Sequence, residues 1–145
     1  MTMYKTILVA VDLGHAPSWK IALPTAIELA RLHKAQLHVL AVVPDFGSPL
    51  VGGFFPEDFM AKAVDKAKEQ LDALVATEVP ADIGATAHIA DGVVHTEILT
   101  AIGTVGADLV VMASHAPDAI REFLIGSNAD RVVRRSPVSV LVARG

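Results

Sequence analysis

Gly126-Ser127-Asn128 combines residue types and a position that suit anion chemistry, because it opens what reads as the last helix. A glycine lets a ligand approach the backbone closely, and the unpaired N–H groups of a first helical turn attract anions. Phosphate is the ligand class this segment offers. Ser and Asn are equally ordinary helix N-caps, so the same residues also have a purely structural reading. Other reactive constellations are missing. The six histidines form no metal-ligand pair on one helix, and His95 with Glu97 does not fit His-Glu-x-x-His. Ser127 lacks the Gly-x-Ser-x-Gly elbow of a hydrolase, and no base is positioned for a nucleophile. There is no Gly-Lys pair for a P-loop, and no Gly-x-Gly-x-x-Gly follows the first strand. The absence of cysteine excludes disulfides, thiolate catalysis and Cys-ligated metals. His33, His38 and His88 read as surface or half-buried structural residues.

The elements that must position such a site alternate between strand and helix. Lys5 to Val11, Ala35 to Val43, Ile83 to Ala90, Asp108 to Ser114 and Val138 to Ala143 are short apolar runs that predict strands. Between them, Leu23, Ala26, Ile27 and Ala30 recur at helical spacing, with Ser18 available as a cap and Pro24 in the first turns. Val64, Ala67, Leu71, Leu74 and Val75 form a second stripe, preceded by Glu57 and Asp58 at a helix start. Val94, Ile98, Ala101, Ile102 and Val105 form a third, and Ala129, Val132 and Val133 face inward from Gly126 to Arg135. Pro44 to Pro56, rich in glycine and proline and carrying Phe46, Phe54 and Phe55, is the longest loop.

This alternation predicts an α/β fold: a doubly wound, parallel five-stranded sheet of order 3-2-1-4-5 with two helices on each face. Such sheets bind ligands beyond the carboxyl ends of their strands, where the order reverses. Asp12, Val43, Asp91 and Ser114 to Asp118 all lie at strand carboxyl ends. Asp12 has a second reading as an Asx turn that ends its strand, His115 as a loop residue and Met112 as core.

The 145 residues fit a single domain spanning 1–145. A hydrophobic content of 52% and a mean hydropathy of +0.49 suit strands buried on both faces. The net charge of -4, without a Lys/Arg run, argues against nucleic acid as a partner. Met1 to Thr6 lacks a signal peptide's apolar region, and no apolar run reaches the ~18 residues of a membrane span. A cytoplasmic location, with no membrane insertion, is the expectation.

Three segments carry a resemblance. Ile7-Leu8-Val9-Ala10-Val11-Asp12, Ala107 to Met112, and Leu124-Ile125-Gly126-Ser127 with Arg134 to Val142 resemble the universal stress protein family over essentially the whole chain. Nucleotide-binding members of that family carry Gly-x2-Gly-x9-Gly-Ser/Thr. Here the spacing is kept, but Ala113 and Ala116 stand at the first two glycine positions, ahead of Gly126-Ser127. Ala113-Ser114-His115-Ala116-Pro117-Asp118 resembles a variant branch with Ala-Ser-His-x-Pro-Asp.

The resemblance implies a stress-response protein that binds ATP, or AMP or ADP, with or without Mg2+. By position, Asp12 would hold adenine or ribose, and Ala10, Val11 and Val43 would line the base. Met112, Ala113, Ser114 and His115 would lie near ribose and phosphates, with Gly126, Ser127, Asn128 and Ala129 on the phosphate tail. It also implies a homodimer through Val138 to Ala143, an uncharged edge strand, with a tetramer as a further assembly. Two rival functions stand beside it. One is a nucleotide-free, dimeric interaction protein of the same fold. The other is a slow ATPase, which the lack of a Walker lysine and of a water-positioning group makes the weaker reading.

Overall fold

The computed structural model describes residues 3–44, 59–114 and 127–144. Pro44 is described, whereas the rest of the loop predicted from Pro44 to Pro56 lies outside these residues, together with Glu57 and Asp58. His115 and Gly126 lie outside them too.

The elements run β1 (Thr6–Val11), α1 (Pro17–His33), β2 (Gln36–Pro44), α2 (Phe59–Glu78), β3 (Thr86–Gly92), α3 (Val94–Val105), β4 (Leu109–Ala113), α4 (Ser127–Arg135) and β5 (Ser139–Ala143). The five strands form one sheet in the order β3-β2-β1-β4-β5, and every pairing is parallel. That is the predicted sheet. Its central strands are apolar on both faces because helices cover both. Ile7, Val9 and Val11 pack with Leu23, Ala26 and Ile27 of α1 and Leu71 of α2. Leu8, Leu40, Val110 and Met112 pack with Ile98 and Ile102 of α3 and Ala129 and Val132 of α4. Two helices therefore serve each face.

Local contacts lock the chain at both ends of β1. At its start, the Asp108 carboxylate accepts the Lys5 N–H at 2.8 Å and the Thr6 N–H at 3.1 Å, tying β1 to the residue before β4. At its end, Ser18 acts in a way its sequence position does not announce. It lies inside α1, whose N-cap is Ala16 with no side-chain cap. Its buried hydroxyl accepts the Asp12 N–H at 2.8 Å and donates to the Asp12 carbonyl at 3.0 Å. Ser18 is thus a clamp rather than the expected cap.

Three other expectations are corrected. Pro24 is not in the first turns of α1 but well inside the helix, on its exposed side. Strand β3 starts at Thr86 rather than Ile83, because the Ile83 and Gly84 N–H groups donate to the Pro80 carbonyl and close a turn there. Val133 points outward and is 44% exposed, since one turn of α4 already buries Ala129 and Val132.

Candidate functional site: a cavity at the carboxyl ends of the strands

In a right-handed parallel sheet, the loops leaving two neighbouring strands diverge to opposite faces where the strand order reverses. Here that divergence lies between β1, which leads to α1, and β4, which leads toward α4. A cavity of about 230 Å³ opens at this place, close to the lower end of small-ligand sites.

Its floor is apolar. Alternation along the strands turns Ala10, Leu40, Val42 and Met112 toward the α3 and α4 face, where Val94 and Ile98 of α3 close the cavity from above. Its polar groups come from two places. Asp12 at the end of β1 and Ser18 of α1 form one, and Ser127 and Asn128, the first described residues of α4, form the other; the N–H groups of a first helical turn lack partners within the helix. The same is true of α3, where Val93 is the N-cap and offers no side-chain hydrogen bond. One polar corner thus holds a carboxylate, and the other holds the positive end of a helix dipole.

Asp12 is fixed twice. The Ser18 hydroxyl holds its backbone, and its Oδ1 accepts the Gly14 N–H at 2.9 Å. This is the Asx turn foreseen as the structural reading, and it coexists with a place on the cavity wall. The carboxylate is exposed, and Oδ2 has no hydrogen bond to a described residue.

Of the sequence-predicted residues, the structure brings together Ala10, Val11 and Asp12 from β1, Met112 and Ala113 from β4, and Ser127, Asn128 and Ala129 from α4. Val43 is buried but does not line the cavity, because its neighbours Val42 and Pro44 have the side-chain direction that does. Ser114 does not line it either; its N–H donates to the Ala143 carbonyl at 3.1 Å, extending the β4 ladder toward β5. His115 and Gly126 fall outside the described residues.

Ala113 has an ordinary strand conformation, paired with Ala143. Lys34 is the one non-glycine residue with positive φ among those described. Alanine in place of the family's glycine therefore carries no backbone strain at position 113.

Sequence reading missed Ser18, Leu40, Val42, Pro44, Val94 and Ile98. Ile98 and Val94 had been recognised as helix-stripe residues, and a core stripe looks the same whether its end meets another side chain or an opening. His95, beside Val94, is buried in the first turn of α3, and its Nδ1 has no hydrogen-bond partner among the described residues.

Residues 3–144 match the Universal stress protein family. The chain belongs to that family. It is 33% identical over 147 residues to a universal stress protein of Thermus aquaticus, covering 98% of this chain and 100% of that one. It is also 33% identical over 146 residues to universal stress protein G of Escherichia coli O157:H7, again covering 98% of this chain and 100% of the relative. Among solved structures, a universal stress protein in complex with cAMP has the same fold, with a TM-score of 0.59 at 23% identity over 97% of each chain. Among the described residues, no group of three or more His, Cys, Asp or Glu side chains could hold a metal. No helix of the described residues is long and apolar enough to cross a membrane.

Proposed function

We propose that this universal stress protein family member binds ATP or a related adenine nucleotide in the cavity between β1, β4 and α4, and acts as a nucleotide-dependent regulatory module. The observation that carries this reading is the joining of Asp12 and the first turn of α4 on one apolar-floored cavity. A base stacks well on apolar walls such as Ala10, Val42 and Met112. A ribose hydroxyl donates well to the Oδ2 of Asp12, which no described residue hydrogen-bonds. Phosphate oxygens accept N–H groups at the Ser127 to Ala129 helix start and the Ser127 hydroxyl. A cAMP complex of a protein with the same fold supports adenine as the base. A Mg2+ ion would arrive with the phosphates rather than on a protein carboxylate cluster.

Pro44, the last residue of β2, lines the same cavity and begins the 44–56 segment. Nucleotide occupancy then biases that segment, and through it a partner, provided the nucleotide favours one of two segment states. The protein works in the cytoplasm as one domain of residues 1–145 and as a homodimer through β5, with a tetramer as the larger assembly. The test is to denature freshly purified protein and identify what it releases. An adenine nucleotide in near-stoichiometric amount supports the reading. Protein that carries none, and that takes up none on dialysis against ATP, turns the assignment toward a nucleotide-free interaction protein.

A further inference from the structure

The outer side of α1 carries charges that the described chain leaves without counter-charges. Lys20, Pro24 and Glu28 are exposed and stand four residues apart, which makes them one ridge of the helix surface. Trp19, Leu23, Ile27 and Arg31 form the adjacent ridge of the same spacing. A groove of about 350 Å³ is lined by both ridges and by Glu78 and Pro80, at and just beyond the end of α2. Arg31 is held by Asp82 at 3.5 Å. Lys20 Nζ lies 6.0 Å from the centroid of the Trp19 ring, and neither Lys20 nor Glu28 has an ion pair among the described residues.

We propose that this face of α1 docks on the same face of a second copy of the chain, antiparallel across a two-fold axis at Pro24. The spacing of the charges argues for it. A two-fold at position 24 sets Lys20, four residues before it, against the partner's Glu28, four residues after it, and the reverse. Both charges of each chain then meet their opposites, and proline meets proline at the axis. Parallel pairing would set lysine on lysine and glutamate on glutamate, so the same charges fix the direction.

Shape agrees with charge. A ridge of this spacing fits the groove of another helix at a crossing angle of about −50°, and the groove between the two ridges offers that seat. Trp19 is half-buried in its wall, and tryptophan is a residue that interfaces favour. Pro24 lies inside the helix, where it removes the N–H that the Lys20 carbonyl would accept. Its ring is exposed, so packing within the described chain offsets little of that loss, whereas at the axis the ring packs on its copy. One pair of 17-residue helices covers less than the roughly 800 Å² per partner of a standard stable complex. The contact is therefore a second interface, which joins two dimers into a tetramer of closed two-fold symmetry. The tetramer rests on the β5 dimer proposed above; the α1 contact itself does not.

The chain has no cysteine, so a single introduced one reports its own surroundings. Helices packed about 8–10 Å apart bring facing backbones within reach of a disulfide. In the full chain at micromolar concentration under mild oxidation, Pro24→Cys should become largely a covalent pair. Gln70→Cys, on the exposed side of α2, should not. Charge reversal supplies a second measurement, by sedimentation velocity without any cysteine. By symmetry, Lys20→Glu or Glu28→Lys breaks both ion pairs and puts like charges in their place. Each should weaken the assembly about tenfold or more, and the two reversals together should recover it, which a role inside one chain would not produce. Adding Val140→Lys to Pro24→Cys tells this contact from the β5 pairing, because a cross-link that persists upholds the α1 face even where β5 pairing fails. Cross-linking of Pro24→Cys no greater than that of Gln70→Cys overturns the proposal. So do reversals that leave both sedimentation and the cross-link at position 24 unchanged.

Discussion

At the scale of single residues, Ala113 stands where the family carries a glycine, and Ala116, at the second such position, lies outside the described residues. Glycine is needed where φ is positive or where a side chain would collide. At Ala113 φ is not positive, and the residue sits in the β4 ladder opposite Ala143. Its methyl group takes a little room from the cavity wall without imposing strain. Ala113→Gly should therefore change ATP affinity by less than about tenfold, or ~1.4 kcal/mol, and the double variant Ala113→Gly with Ala116→Gly is expected to stay within the same bound. Calorimetric titration of wild type and the double variant checks this; ATP binding that appears only with both glycines would show that the alanines block the site. A second residue-scale expectation concerns His38, whose imidazole is held below the usual histidine range, first by burial and then by His88 facing it from β3. As pH falls, the unfolded chain takes up that proton before the folded one does. His38 therefore contributes its full stability above the unfolded value and loses it as pH drops through the lower folded value. The urea midpoint should fall between about pH 7.5 and about pH 5.5 by more in wild type than in His38→Gln. Equal slopes would remove His38 as the source.

At the scale of elements, the link between β1 and α1 decides how firmly Asp12 is presented. The Ser18 hydroxyl uses both its donor and its acceptor on one residue's backbone, inside a buried setting. Ser18→Ala takes away the partner of the Asp12 N–H, while the Asp12 carbonyl keeps the His15 N–H at 3.0 Å, and should cost roughly 1–3 kcal/mol in urea unfolding. It should also weaken ATP binding, because Ser18 and Asp12 share the cavity wall. A variant as stable as wild type would show that water replaces the hydroxyl without loss. This clamp also shows where sequence reading stops. Strands were legible because a parallel sheet covered on both faces needs continuous apolar runs, as in Leu109 to Met112. Helix stripes were legible from their spacing, which placed Ile98, Ile102 and Leu71 inward. The role of Ser18 was not, because a serine near a helix start reads as a cap until the fold brings the end of β1 against it. Ile83 misled for a similar reason, since an apolar residue just before a strand looks like its first member. Here a turn onto Pro80 claims its N–H. Asp12 and Ser127 were found because their positions at a strand end and a helix start carry a mechanism. Pro44 and Val42 were missed because nothing local separates a cavity wall from a packed face.

At the scale of the whole molecule, the sheet has two outer strands, β3 and β5. The β5 segment Ser139–Ala143 contains no charged residue, and an uncharged outer strand is a template for pairing with another chain. Antiparallel pairing of β5 with its copy across a two-fold axis satisfies both edges at once. Val140→Lys should therefore shift the protein toward monomer in light scattering at micromolar concentration, whereas a monomeric wild type would reject the pairing. Family membership, the sheet order and the cavity converge on one central claim, that an adenine nucleotide binds with its ribose at Asp12 and its phosphates at the start of α4. The most direct measurement is a calorimetric titration of ATP into nucleotide-stripped wild type, Asp12→Asn and Asp12→Ala. Asparagine keeps an oxygen for the Gly14 N–H and so preserves the turn while removing the charge. The account predicts one ATP per chain in the wild type and about tenfold weaker binding, or ~1.4 kcal/mol, in both variants. No binding to wild type, or the same affinity in all three proteins, would contradict it.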